Sequence, residues 1–377
     1  MKRFLLLLLG FLFLLLFGHS RLDNSDLPIA DSLDYLSTPK NFRVEVLSNK
    51  VVGARSLTKS RDGVIYIGTR KEGVVYALYD SNGDTIPDKT QVVISELNSP
   101  NGVAYHNKDL YIAEIDRVIV LRNIDENFQN SPKYEIVNKQ LPNSEHHGWR
   151  YLKVGPDSKL YLSIGAPCNV CELNYPLGSI ARMNLDGSDF EVIATGIRNS
   201  VGFSWSPLDN SLWFTDNGRD WLGDNAPADE LNHLSGTTNN FGFPYCHAGE
   251  ILDPIFGKGR QCTSYANPAI KLAPHAAALG ITFYTGSMFP SEYKQKIFIA
   301  EHGSWNRKEP IGYRITTVEL KDNQAVNYEV FAEGWLDKSG SPLGRPVDIL
   351  EMNDGSLVVS DDLSGTIYRI IYSSLPE

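Results

Sequence analysis

Short apolar runs, each stopped by Gly, Asp, Asn or Lys, return along the whole chain, and no helical periodicity longer than about eight residues interrupts them. One pattern recurs: a turn of Gly, Lys or Asp, a β-rich core ending in Gly, Ser, Glu or Asp, then a second strand. It reads "GVIYIGTRKEGVVYALYD", "KDLYIAEIDRVIVLRN", "KLYLSIGAP…GSIARMN", "SLWFTDNG…DELNHL", "QKIFIAEHGSWN…GYRITTVEL" and "GSLVVSDDLSGTIYRIIY". Anchored at Tyr66, Tyr111, Tyr161, Trp213, Phe298 and Val358, the copies lie 45, 50, 52, 85 and 60 residues apart. Those spacings are near the roughly 40 to 50 residues of a propeller blade plus insertions, the largest insertion being 220–275.

Another short apolar strand precedes each copy: "GARSLTKS", "NGVAYH", "HGWRYLKVGP", "RNSVGFSWSP", "GITFYTG" and "RPVDILEMN". The expected fold is all-β, a six-bladed β-propeller over residues 42–374; a pair of sandwiches does not explain six similar units. The first strand of every blade lines the central channel, so polar residues at these strand starts should converge on one mouth of the axis. They are Arg55, Asn101, His147, Arg150, Arg198, Asn199, Arg345 and Asp348.

At 377 residues, 42% hydrophobic and 21% charged, the chain can bury a large core. A net charge of −10 without a block of like charges argues against nucleic acid as a partner and for solubility. Lys2 and Arg3 precede the apolar run "FLLLLLGFLFLLLFG" and then "HSRLDNSD", the layout of a secretory signal and shorter than the roughly 20 residues of a spanning helix. Residues 1–22 are therefore set apart as signal peptide or N-terminal anchor. The expected location is periplasmic or secreted, with membrane attachment only if that segment stays uncleaved. Four cysteines in an exported chain point to disulfides. Of three possible pairings, Cys168 with Cys171 and Cys246 with Cys262 each close a local loop.

Two of only eight histidines stand together in "NSEHHGWRYLKVGPD", at the entrance to the third blade's first strand. Either His147 faces the channel as a functional imidazole, or one ring merely caps the strand or packs on Trp149. Neighbours on a strand point to opposite faces, so only one of the pair should look into the channel. Arg198, Arg345, Arg150 and Arg55 around one channel suit an anionic, polycarboxylate ligand, unless each pairs with an acid such as Asp348. The oxygen-rich loop "FTDNGRDWLGDNAPADELNHL" fits Ca²⁺, unless it is an ordinary acidic surface loop, and in "DSNGDTIPD" Asp80, Asn82, Asp84 and Asp88 occupy positions 1, 3, 5 and 9 of an EF-hand-like loop that lacks the glycine at 6 and glutamate at 12. Trp221, Phe241, Phe243 and Tyr245 are aromatic positions of the expected channel rim, open to a stacked ligand or to ordinary packing.

From about Phe42 to Tyr372 the chain resembles the soluble PQQ-dependent sugar dehydrogenases of the aldose and sorbosone type. The resemblance is carried by "HGWRYLKVGPDSKLYLSIG", "GIRNSVGFSWSP", "TDNGRDWLGDNAPADELN" and "GRPVDIL…SDDLSGTIYRI", in that order. It implies hydride transfer from an aldose or related aldehyde to channel-bound PQQ, with Ca²⁺ and an external electron acceptor, a quinone or cytochrome. His147 would be the general base, Arg198, Asn199 and Arg345 would hold the cofactor, and the carbonyls of Gly218 and Arg219 would hold its Ca²⁺. Glu230 and Phe241 match a second, structural Ca²⁺ site. Three departures stand out. His146 and Ala166 occupy positions where the family places aspartates that orient the base, "AEHGSWNRKEP" offers no clean match to a cofactor lysine, and Val347 replaces a second arginine. The alternatives are a calcium-dependent lactonase-type hydrolase and a non-enzymatic propeller that binds carbohydrate or protein.

Overall fold

A computed structural model describes residues 33–236 and 238–374; the apolar segment set apart as signal or anchor lies outside them. Among the described residues no helix is long and apolar enough to cross a membrane.

The described residues form six four-stranded antiparallel sheets arranged as a propeller, with one small extra hairpin at Cys246–His247 and Ile251–Leu252. The first strands are Leu57–Lys59, Gly102–His106, Leu152–Val154, Phe203–Trp205, Ala278–Phe283 and Pro346–Glu351, the six segments expected from the sequence. They touch around the axis: Leu57–Lys59 meets both Gly102–His106 and Pro346–Glu351, which closes the ring. Second strands such as Leu160–Ile164 and Ile297–Glu301 are buried along their whole length. Covered on both faces by neighbouring blades, they read as continuous apolar runs rather than as an alternation. Outer strands such as Tyr134–Asn138 are largely exposed.

Apolar clusters fill each gap between blades. The last sheet is closed by the other end of the domain: Phe42–Ser48 is its outermost strand, with Phe42 opposite Tyr372 and Val46 opposite Tyr368. Phe42 packs edge-on against Phe289, Tyr293, Phe331 and Tyr372. Both expected disulfides form, Cys168–Cys171 and Cys246–Cys262.

Candidate active site

Antiparallel order inside each blade brings two kinds of position to one face: residues just before a first strand and residues just after a second. Together they line a cavity of about 320 Å³. Arg55, His146, His147, Trp149, Arg198, Asn199, His275 and Arg345 come from the first kind. Arg70, Asn217, Gly218, Asp220, His302, Trp305 and Asn306 come from the second. Val201, Leu279 and Val347 form a small apolar cluster with Trp149 packed against it, and Leu279 and Trp149 also face the cavity. Val347, the position where the family resemblance expected an arginine, belongs to that apolar cluster.

His147 sits at the third position of a tight turn, closed by Gly148 N–H donating to the Glu145 carbonyl at 3.1 Å, with φ of 49°. The left-handed region is costly for a side chain with a Cβ, by about 1 to 2 kcal/mol, and such positions gather at functional sites. Gly165 makes the placement possible, since a Cβ there would overlap the Cβ and carbonyl of His147. Nδ1 of His147 lies 2.9 Å from the Ala166 carbonyl oxygen. A carbonyl only accepts, so Nδ1 carries the proton and Nε2 keeps its lone pair. Burial, with Arg198 and His146 nearby, holds the imidazole well below its usual pKa; it is neutral at neutral pH. A backbone carbonyl thus orients the ring where the resemblance expected aspartates.

Three of the four cavity arginines are anchored. Arg198 donates to Asn169 O at 2.9 Å, to Asn169 Oδ1 at 3.0 Å, to Asn217 O at 3.3 Å and to Asp220 Oδ2 at 2.9 Å. Arg55 bonds Asn101 Oδ1 and Asp362 Oδ2, both at 2.9 Å. Arg345 bonds the carbonyls of His302 and Gly303 at 3.1 and 2.6 Å through Nε and Nη2, which leaves Nη1 unspent among the described residues. The guanidinium carbon of Arg70 lies over Trp149, 3.9 Å from the ring centroid. Asp362 also accepts from His302 Nε2 at 2.7 Å, and burial pushes that histidine down to about 4. Two buried wall atoms, Trp149 Nε1 and Asn306 Oδ1, have no hydrogen-bond partner.

Beside the cavity, Asp216 and Glu230 face each other on paired strands. With Gly218, Arg219 and Phe241 they surround a second space of about 10 Å³. Burial pushes Asp216 up to about 7, and burial with the Asp216 charge pushes Glu230 up to about 8. Among the described residues no group of three or more His, Cys, Asp or Glu side chains is placed to hold a metal. A cation at either space therefore depends on backbone carbonyls as well as carboxylates.

The structure brings His147, Arg198, Asn199, Gly218 and Arg345 to one cavity, and Gly218, Arg219, Glu230 and Phe241 to the smaller space beside it. It departs from expectation elsewhere. His146 and His147 are not on a strand; they occupy the turn, both rings line the cavity, and their centroids are 4.1 Å apart. Arg150 turns away to the carbonyls of Ile115 and Pro142. Asn101 is buried between Arg55, Ser56 and Arg150. Asp348 takes the N–H of Leu57 and the hydroxyl of Tyr151 rather than an arginine. Phe241 and Phe243 are buried, and Tyr245 stacks on Tyr265 away from the cavity. At the rim Trp221 is joined instead by Trp305, the two rings edge to face at 5.5 Å and both about two-thirds exposed. Asp80, Asn82, Asp84 and Asp88 lie beyond a third strand, on the opposite face of the propeller, and accept N–H bonds from their own loop. Arg70, His275, His302, Trp305 and Asn306 were absent from the sequence reading. All but His275 follow a second strand, a position that pairs by antiparallel order with the strand starts that were read.

Residues 103–369 match the family model for glucose/sorbosone dehydrogenase. An uncharacterized protein of Borreliella burgdorferi is 37% identical over 365 residues, covering 90% of this chain and 92% of its own. A pyrroloquinoline quinone-dependent pyranose dehydrogenase of Coprinopsis cinerea is 25% identical over 238 residues, 49% of this chain and 32% of its own length, so only about a third of that longer protein is matched. Among solved structures, a calcium structure of a Trichoderma reesei family AA12 carbohydrate-active enzyme superposes with a TM-score of 0.78 at 20% identity, covering 90% of this chain and 97% of the other.

Proposed function

Since the chain belongs to the glucose/sorbosone dehydrogenase family, we propose that it is an exported sugar dehydrogenase that oxidises an aldose or related aldehyde with PQQ and Ca²⁺. The observation that carries this reading is the neutral, tautomer-locked His147 facing a cavity ringed by four arginines. The residues present fit PQQ, a flat tricarboxylate. Arg70 and Nη1 of Arg345 have donors to spare, Leu279 and Trp149 give the wall an apolar surface, and the buried Trp149 Nε1 and Asn306 Oδ1 lack partners. The carbonyls of Gly218 and Arg219 would hold the cofactor's Ca²⁺, and Asp216, Glu230 and the Phe241 carbonyl a structural one.

When bound, the ortho-quinone supplies the two-electron hydride acceptor. The chain's own residues do the rest. Nε2 of His147 takes the proton of the sugar's anomeric hydroxyl as the C–H bond opens, a task suited to an imidazole that is neutral at working pH. Arg198 and Asn199 would hold the acceptor group, and Arg198 is itself held rigid by Asn169 and Asp220. Trp305 and Trp221 give the sugar ring an apolar face at the mouth. The reduced cofactor would need an external acceptor, a quinone or cytochrome, and the apolar segment of residues 1–22 supports action outside the cytoplasm.

The test is a PQQ titration, in Ca²⁺, of wild type and His147→Gln. Both should bind with the same affinity, while the variant loses on the order of 10² to 10⁴-fold in turnover. Normal turnover in the variant would remove His147 from the chemistry.

A further inference from the structure

Arg70 differs from the other three arginines of the cavity. Among the described residues its guanidinium has no hydrogen-bond or ion-pair partner, while those of Arg55, Arg198 and Arg345 each have at least two acceptors. Its guanidinium lies 3.9 Å over the ring of Trp149. The nearby carboxylate of Asp362 is already bonded to Arg55 and His302. Burial and the neighbouring charge of Arg55 lower its pKa to about 10, so it stays protonated at neutral pH.

A guanidinium stacked on an indole is held in one plane and keeps its N–H donors pointing outward in that plane. That is the geometry of a fork for a bidentate, planar anion. No acceptor of the protein occupies its N–H donors, so they are available to a ligand that enters the cavity. Trp149 in turn packs edge to face on His147, with centroids 5.9 Å apart, so an anion on Arg70 would sit near the base.

From this geometry we propose that Arg70, braced by Trp149, is a carboxylate-binding fork of the cavity, a role that rests on the cavity being the cofactor and sugar site. Two ligands carry such a carboxylate there: the cofactor, or an acidic sugar such as a uronic acid. The Arg70→Gln and Arg70→Lys variants, checked for an unchanged melting temperature, distinguish them. PQQ affinity is read by quenching of tryptophan fluorescence, and preference by the KM ratio of D-glucuronate to D-glucose in a dye-reduction assay.

If the fork holds the cofactor, Arg70→Gln weakens PQQ binding roughly tenfold or more at an unchanged sugar ratio. If it holds the substrate, PQQ binding is kept and the preference for glucuronate falls by about the same factor. In either case Arg70→Lys, which keeps the charge without the planar fork, restores only part of the loss. Unchanged PQQ affinity together with an unchanged sugar ratio in Arg70→Gln overturns the proposal. Should wild type fail to bind PQQ, the functional reading falls instead. The fork is then judged by direct binding of glucuronate to the purified chain, where equal affinity of wild type and Arg70→Gln overturns it.

Discussion

In the proposed reaction His147 would owe its readiness as a base to backbone rather than to a carboxylate. The Ala166 carbonyl fixes the Nδ1 proton, and burial beside Arg198 keeps the ring uncharged. The sign of the pH dependence follows. The base must be unprotonated, and a pKa below the usual 6.5 means that this condition is already met at pH 6.5. We therefore expect kcat/KM to be flat from pH 6.5 upward and to fall only on the acid side; an acid limb with its midpoint at 7 or above would contradict the assignment. His146 is exposed and has no such tether, so His146→Gln should cost less than about tenfold in turnover. His147 was legible because two histidines at a strand entrance are unusual in this chain. Its orientation was not, since the turn and its positive φ depend on Gly165, contributed by the end of the second strand of the same blade.

The loop closed by Cys168–Cys171 acts as a clamp. Asn169, inside it, accepts from Arg198 through both its carbonyl and its side chain, and takes the Asp220 N–H at 2.8 Å. Asn169→Ala should leave the blades intact and weaken PQQ binding by about tenfold through a loosened Arg198; unchanged affinity would show that Asp220 and the Asn217 carbonyl suffice to position the arginine. The disulfide could be read from cysteine spacing, whereas the role of Asn169 depends on the loop of one blade crossing to the next. Asp216 and Glu230 define another element-scale device. Carboxyls whose folded pKa is raised to about 7 and about 8, against about 4 when unfolded, take up buried charge as pH rises. The metal-free protein should then lose stability from about pH 4 to 8, and a bound cation reverses the loss. Melting in EDTA should fall across that window, millimolar Ca²⁺ should raise it by several degrees near pH 7.5, and Glu230→Gln should blunt both effects. Superimposed curves with and without Ca²⁺ would argue against a cation there.

At the scale of the whole molecule, the six repeats and their order were legible because second strands are buried on both faces and repeat an apolar core. Outer strands are half-exposed and carry no common motif, so the closure by Phe42–Ser48 left no signature. Phe42→Ala removes a ring that packs on four others at the seam and should cost about 3 to 5 kcal/mol in chemical denaturation; a loss under about 1 kcal/mol would mean that the seam contributes little. The cavity is lined by residues of five of the six blades together. The most direct test is reconstitution of the purified protein with PQQ and Ca²⁺, followed by dye reduction across a panel of neutral and acidic aldoses. Reduction that requires both PQQ and a sugar, and that His147→Gln abolishes, is the expected result; full PQQ occupancy with no sugar-dependent reduction would contradict it.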